Sequence, residues 1–369
     1  MKSKMSGMHS NWSEMFPTKV SALIFVTYMG LFINQGILVT ASQSSTSEYN
    51  YNTVTVVLLT EVLKLFVSIA LYCKDASFPS LLYEVKKYSR VMMLYFVPAF
   101  MYCLYNNLAF VNLATYDPTT YYLLLQFRVV ITGVVFQVLF KKQLSCKQWI
   151  SLLLLTLGCM IKHIDIGNAG HEATKGTDKV AESSFSREIS TLFILVQTVC
   201  SCFAGVYNEF LLKGEGAQVN IYVQNVFMYI DSIICNAGVL MVQGNLQEAF
   251  QPDALAAVLR PTVLLIMLNN AAIGIITSFF LKNLNSIVKT FASALELMFT
   301  AVFCWLLFGI PIHLSTVLAI AVVSYSVMIY SQNPVVNQTP TSTSAQSLKE
   351  PLIKEPLIKE PLIKDLEEV

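Results

Sequence analysis

Arg128 and Lys289 each stand inside a long apolar run of the chain. A charge at bilayer depth costs about 2.5–3.5 kcal/mol on insertion scales, so such residues face a cavity or a partner. A fixed cation in a low-dielectric cavity suits an anion, because a charge-assisted hydrogen bond to phosphate is strongest there. Stacking and amide groups share the same runs. Tyr102, Tyr105, Tyr121 and Tyr122 flank Arg128 and the pair Asn106-Asn107. Gln224, Asn225 and Tyr229 share another run, where Asn225 and Tyr229 lie four apart on one helical face. Aromatic faces and amides are what a nucleoside needs. Bland readings compete: each cation can snorkel to an interface or pair with a carboxylate, and tyrosines at span ends belong to interfacial belts. Glu296, seven residues after Lys289, and Glu61, three before Lys64, are the available counter-charges. The small residues of Phe203-Ala204-Gly205-Val206-Tyr207 fit close helix packing as well as a ligand contact.

No catalytic set accompanies these residues. His9, His163, His171 and His313 lie at termini or span ends, and no Ser/His/Asp set, metal cluster or phosphate-cradling glycine loop is found. The eight cysteines lie mostly in apolar runs and are expected to be small core residues rather than disulfides or zinc ligands. The chain is therefore expected to be no enzyme and to use no cofactor or metal.

The elements that must hold these residues are membrane spans. Of the 369 residues 55% are hydrophobic and 13% charged, about half the charge of a soluble domain, and mean hydropathy is +0.58. A net charge of +1 gives no support to nucleic-acid binding. Apolar runs near 20 residues long predict ten spans, at 20–41, 54–73, 91–111, 119–140, 148–166, 189–211, 221–243, 262–281, 287–308 and 312–330. The first run lacks a cleavage site, so no signal peptide is expected. Lys86, Lys87 and Arg90, and Lys141, Lys142 and Lys147, fall in alternate loops, while 41–53 and the Asp117-Pro118 turn carry no cation. That bias places both termini in the cytosol. The division is a cytosolic tail 1–19, a first repeat 20–166, a luminal linker 167–188, a second repeat 189–330 and a disordered cytosolic tail 331–369. The linker dissents from the charge rule with Lys175, Lys179 and Arg187, offset by four acids. The sequons at Asn11 and Asn337 fall on cytosolic tails and are expected to stay unglycosylated. The C-terminal tail repeats Lys-Glu-Pro-Leu-Ile three times from Lys349, and proline at that period forbids a continuous helix.

An internal echo relates the halves. Leu104-Tyr105-Asn106-Asn107 precedes Arg128, and Met267-Leu268-Asn269-Asn270 precedes Lys289, at spacings of 22 and 20 residues from Asn106 and Asn269. The copies lie five spans apart, an odd number, so equivalent spans run in opposite directions. That is the pattern of an inverted repeat with a midplane site.

These stretches resemble the nucleotide-sugar transporters, in the branch carrying UDP-galactose, UDP-N-acetylglucosamine and CMP-sialic acid. The matching segments are Leu59 to Leu65, Asn106 to Phe110, Leu144 to Trp149, Phe203 to Glu209, Gln224-Asn225 with Met228-Tyr229, and Ile287-Val288-Lys289. The resemblance implies an all-α membrane protein of ten transmembrane helices in the drug/metabolite-transporter fold, five plus five. It implies antiport of a nucleotide sugar against a nucleoside monophosphate by alternating access across the Golgi membrane. The implied substrate-binding residues are Tyr102, Asn106, Tyr121 and Arg128 in the first half, and Ser201, Asn225, Tyr229 and Lys289 in the second. Of these, Lys289 would hold phosphate, with Tyr102, Asn106 and Asn225 near the nucleoside. Two positions depart from the CMP-sialic acid members: Arg128 stands for Lys, changing a point charge to a planar fork, and Glu296 stands for a small apolar residue. The expected activity is import of a UDP-sugar, UDP-galactose first, in exchange for UMP. A CMP-sialic acid or UDP-N-acetylglucosamine transporter is the alternative of the same fold, and a non-transporting scaffold for glycosylation machinery the alternative of another class. Expected partners are the two nucleotide substrates and the lipid bilayer, with a homo-oligomer or a glycosyltransferase complex in addition. The endoplasmic reticulum is the alternative compartment.

Overall fold

The computed structural model describes residues 12–42, 53–115, 118–163, 184–244, 259–309 and 312–335, with isolated positions between 247 and 256. Asn11 of the first sequon, the second sequon, most of the 167–188 linker and the repeat-bearing tail lie outside the described residues. In chain order the helices are α1 (Trp12–Met15), α2 (Lys19–Ser42), α3 (Thr53–Asp75), α4 (Phe78–Lys87), α5 (Ser89–Thr115), α6 (Pro118–Leu125) and α7 (Arg128–Phe140). They continue as α8 (Cys146–His163), α9 (Ser184–Lys213), α10 (Ile221–Gln243), α11 (Pro261–Asn283), α12 (Ser286–Phe308) and α13 (Leu314–Gln332). Among the described residues the chain is all-helical. Among the described residues nine spans are long and apolar enough to cross a membrane: α2, α3, α5, the Leu123–Phe140 stretch, and α9 through α13. The remaining expected span, the fifth at 148–166, coincides with α8, 18 residues long. Lys147, Gln148, Lys162 and His163 dilute its ends, and it is not among the nine. The outer surface is apolar, with Leu23, Val26, Phe66, Val138 and Leu306 exposed. Backbone groups satisfied within helices and side chains apolar on the outside are the two conditions a bilayer imposes.

The helices pair in a pattern that survives exchanging the halves. Let α2, α3, α5, α7 and α8 trade places with α9, α10, α11, α12 and α13. The packing of α5 on α9 then becomes α11 on α2, α5 on α10 becomes α11 on α3, and α7 on α9 becomes α12 on α2. The pairs α8 on α13, α3 on α10 and α7 on α12 map onto themselves. Among the described residues α9 on α11 breaks the rule, being more extensive than α2 on α5.

The exchange-related contacts α5 on α9 and α2 on α11 each carry an amide staple. Between α5 and α9, Asn112 Nδ2 donates to Gln197 Oε1 at 2.6 Å, and Gln197 Nε2 donates to the Tyr121 hydroxyl at 2.7 Å. Between α2 and α11, Asn34 Nδ2 donates to Asn269 Oδ1 at 2.9 Å. Asn269 Nδ2 donates in turn to the Leu31 carbonyl and Gln35 Oε1, each at 3.0 Å. The Asn pairs noticed in the sequence thus mark the right helices. The stapling residue of α5, however, is Asn112, whereas Asn107 Nδ2 turns back to the Cys103 carbonyl at 2.8 Å.

Small residues set the α8–α13 seam. A Cβ on Gly158 would lie 2.8 Å from Val323 Cγ2 and 3.2 Å from the Val323 backbone nitrogen, so only glycine permits this approach. Ser326 Oγ donates to the Ser151 carbonyl at 2.6 Å along the same seam. At its end Gln148 Nε2 donates to the Asn333 carbonyl and Asn333 Nδ2 to Ser145 Oγ, both at 2.9 Å.

Candidate binding cavity

The expected fourth span is broken. Gln126 and Phe127 form turns between α6 and α7, with Gln126 N bonded to the Leu123 carbonyl at 3.1 Å and Phe127 N to that of Leu124 at 3.2 Å. These are i to i−3 bonds, tighter than the α-helical pattern, and such a stretch inside a helix often marks a functional position. Arg128 is the first residue of α7. Its carbonyl accepts from Thr132 Oγ1 at 2.7 Å and from Cys202 Sγ at 3.2 Å, which fixes the break against α9.

Lys289 occupies the first turn of α12, whose start is anchored from a distance. Asn285 caps the helix, its Oδ1 accepting from Val288 N at 2.8 Å. Glu209 of α9 is fully buried, and its carboxylate accepts from Ser286 N at 2.7 Å and Ser286 Oγ at 2.6 Å. Lys213 Nζ donates to the same carboxylate at 2.7 Å and also to the Leu284 carbonyl. A carboxylate at exposed N-terminal amides is favourable, so Glu209 locks the α11–α12 junction to α9.

Between α7 and α12 lies a cavity of about 210 Å³, lined from α5, the α6–α7 break, α8, α9 and α12. Both cations reach it: Arg128 from the first half and Lys289 from the second. Tyr102, Tyr105, Gln126 and Thr132 line it from the first half, and Ser201, Cys202, Gly205, Ser286, Thr290 and Ser293 from the second. The ion pairs among the described residues are Lys64–Glu61 at 2.8 Å and Lys213–Glu209 at 2.7 Å. Neither cavity cation takes part in one. Lys289 feels Arg128 as a like charge and Glu209 as an opposite one. Glu296 lies within electrostatic reach of Arg128 and of Lys162, and Lys162 Nζ donates to the neighbouring Leu297 carbonyl at 3.1 Å. Two like charges converging on a polar hollow can hold a doubly charged or bridged anion between them.

Four of the eight residues named from the sequence therefore line one cavity: Tyr102, Arg128, Ser201 and Lys289. The other four do not. Asn106 is exposed. Tyr121 is buried beside Leu125 and Ile194 and accepts from Gln197. Asn225 and Tyr229 are buried on α10, where Lys64 Nζ lies 5.7 Å from the Tyr229 ring centroid. A Cβ on Gly274 would lie 2.8 Å from the Tyr229 hydroxyl and 3.0 Å from Lys64 Cδ, so α11 passes this group closely. Glu61 pairs with Lys64, as its three-residue spacing allows, whereas Glu296 forms no ion pair with Lys289 among the described residues. Thr132, Cys202, Thr290 and Ser293 were not singled out in the sequence. Each lies one helical turn from a lining residue, Thr132 and Ser293 four residues after the two cations, which is the signal that finds them.

The sequence profile of nucleotide-sugar transporters matches residues 16–331. The chain belongs to the nucleotide-sugar transporter family. It is similar to the UDP-galactose transporter senju of Drosophila melanogaster, 59% identical over 352 residues, covering 89% of this chain and 91% of the relative. It is also similar to CMP-sialic acid transporter 1 of Oryza sativa subsp. japonica, 30% identical over 320 residues, covering 84% and 92%. A crystal structure superposes with a TM-score of 0.57 at 12% identity, covering 89% of this chain and 99% of that one, which speaks to the fold alone. As a nucleotide-sugar transporter the chain carries nucleotide sugars as its substrates and is no enzyme.

Proposed function

We propose that this transporter imports a UDP-sugar, UDP-galactose, into the Golgi in exchange for UMP by alternating access. The observation that carries the reading is the convergence of Arg128 and Lys289, from opposite halves, on one cavity. A nucleotide sugar and a nucleoside monophosphate share a phosphate, so one pair of cations serves both directions of an exchange. At about 210 Å³ the cavity is smaller than the about 300–1,000 Å³ of pockets that enclose a drug-sized ligand. It suits the phosphate-bearing centre of the cargo, with Tyr102 and Tyr105 as stacking faces and Ser201 as a hydroxyl partner. Asn106, Tyr121, Asn225 and Tyr229 would meet the cargo only when α5, α6 or α10 moves. Galactose as the sugar rests on the 59% identical relative.

Ten spans, with α8 as the fifth, divide the molecule into a first repeat 20–166 and a second 189–330. Both termini face the cytosol. Supporting this, Lys19, Lys74, Lys86, Lys87, Arg90, Lys141, Lys142 and Lys147 are all exposed at helix ends that share one side of the bundle. At the opposite ends the exposed described cation is Arg260.

The test is counterflow in sealed proteoliposomes preloaded with UMP or CMP, against labelled UDP-galactose, UDP-N-acetylglucosamine and CMP-sialic acid. UDP-galactose uptake that needs internal UMP, and that is lost in the Arg128→Ala, Lys289→Ala double variant, is the expected result. CMP-driven uptake moves the base assignment to cytosine. Uptake that survives the double variant removes the cavity from the mechanism.

A further inference from the structure

Two residues, Ala76 and Ser77, separate α4 from the end of α3, and one, Tyr88, separates it from the start of α5. Both neighbours are membrane spans. So short a tether on each side holds the ten-residue α4 at the bilayer surface. Ser77 caps it, accepting from Ser80 N, and Pro79 sits in its first turn, so the helix is set locally.

At about 100° per residue, the side chains of α4 fall into three sectors. Leu81, Glu84 and Val85 turn toward the protein: Leu81 is buried, Val85 packs on the core formed with α3, α5 and α10, and Glu84 accepts from the Tyr72 hydroxyl at 3.1 Å. Phe78 and Leu82, one turn apart, form a second sector and are 51% and 56% exposed. Lys86 follows Leu82 by one turn and borders that apolar sector. The third sector holds Tyr83 and Lys87, both exposed, with Lys87 Nζ lying 5.0 Å from the Tyr88 ring centroid. Lys74 and Arg90 are exposed at the flanking helix ends. With Glu84 turned inward, Asp75 is the exposed acid opposing these four cations.

We propose that α4 is an interfacial helix that binds anionic phospholipid, with Phe78 and Leu82 in the acyl region and Lys86 and Lys87 against headgroup phosphates. An apolar sector beside a basic one on a helix pinned at the boundary is the arrangement such surfaces select. Charge complementarity fixes the lipid class, since a lysine near an anionic leaflet contributes about 1 kcal/mol, or about fivefold in binding. The leaflet follows from the orientation proposed above; the lipid chemistry does not depend on it.

The experiment uses the full-length protein, purified in a neutral detergent and titrated with phosphatidylserine or phosphatidylcholine, with bound lipid read by native mass spectrometry. Selective retention of phosphatidylserine is expected, weakened about 25-fold in Lys86→Gln, Lys87→Gln, following two lysines at fivefold each. Leu82→Ser should weaken it as well, because a headgroup phosphate alone does not engage that sector. Lys141→Gln, Lys142→Gln, an exposed pair at the end of the spanning α7 rather than on a surface helix, should bind as the wild type does. Equal loss in both lysine pairs, retention of phosphatidylcholine to the same degree, or an unaffected Lys86→Gln, Lys87→Gln variant overturns the proposal. Counterflow in vesicles containing phosphatidylserine is measured beside it. Its absence in the wild type counts against exchange and leaves the lipid result standing.

Discussion

Replacing Lys289 by glutamine should damage transport while leaving the fold intact or more stable. Lys289 lines the cavity without an ion pair among the described residues, and the nearby Glu209 carboxylate is already engaged by Lys213 and Ser286. Its charge is thus borne at a structural cost, up to about 2.5–3.5 kcal/mol on insertion scales, and glutamine removes that cost. If Lys289 holds the cargo as proposed, the cargo loses a hydrogen bond to a charged donor, worth about 1.5–3 kcal/mol. At 1.4 kcal/mol per decade that is a rise of about 10- to 150-fold in the half-saturation concentration. Counterflow kinetics in proteoliposomes gives that number, and thermal unfolding in detergent gives the other. Arg128→Gln should behave alike, and if both cations hold one phosphate the double variant should fall short of the summed single effects. A half-saturation within twofold of wild type would mean that Lys289 does not touch cargo. A lowered melting temperature would mean that the charge is structural after all.

Glu209→Gln leaves the half-buried Lys213 against an uncharged partner and weakens the α11–α12 junction. A loss of about 3–5 kcal/mol, the usual result of breaking a buried pair, should appear as a large drop in melting temperature. Gly205→Ala should transport nearly as wild type, since its Cβ would meet the Tyr102 hydroxyl at an ordinary 3.6 Å; Gly205→Leu should fill the cavity and abolish counterflow in a folded protein. Gly274→Ala forces a contact of 2.8 Å on the Tyr229 hydroxyl, so unfolding should show about 1–3 kcal/mol of overpacking. Glu296→Gln removes a carboxylate near Arg128, and relative uptake of a nucleotide sugar bearing an acidic sugar should rise in a competition assay.

What the sequence showed of the cavity was carried by single residue types. Arg128 and Lys289 stood out because charge in an apolar run has few explanations, and the cavity contains both. The break before Arg128 was hidden, because Gln126-Phe127 contains neither glycine nor proline. Tertiary contacts with α9, such as that of Cys202 with the Arg128 carbonyl, hold the break there. Asn106 shares a helix with Tyr102 but is exposed. With α5 apolar on nearly every side, its rotation is set by packing against α9 and α10 rather than by any stripe. Glu209 and Ser286 are 77 residues apart, and nothing local links a glutamate at the end of one span to the first turn of another. The Glu61–Lys64 pair was legible because its three-residue spacing is itself the geometry.

The exchange relation between the halves has an energetic consequence. When the α5–α9 side parts and the α2–α11 side holds, the packing that opens and the packing that stays are of one kind, down to an amide staple on each. Under the alternating access proposed above, the two resting shapes should then be of similar energy, and net flow should follow whichever solute is in excess. A bias can nonetheless be introduced by hand. An interhelical hydrogen bond of this type is worth about 0.6 kcal/mol in a bilayer, so deleting Asn34 or Asn112 should tilt the resting ratio about threefold, and in opposite directions.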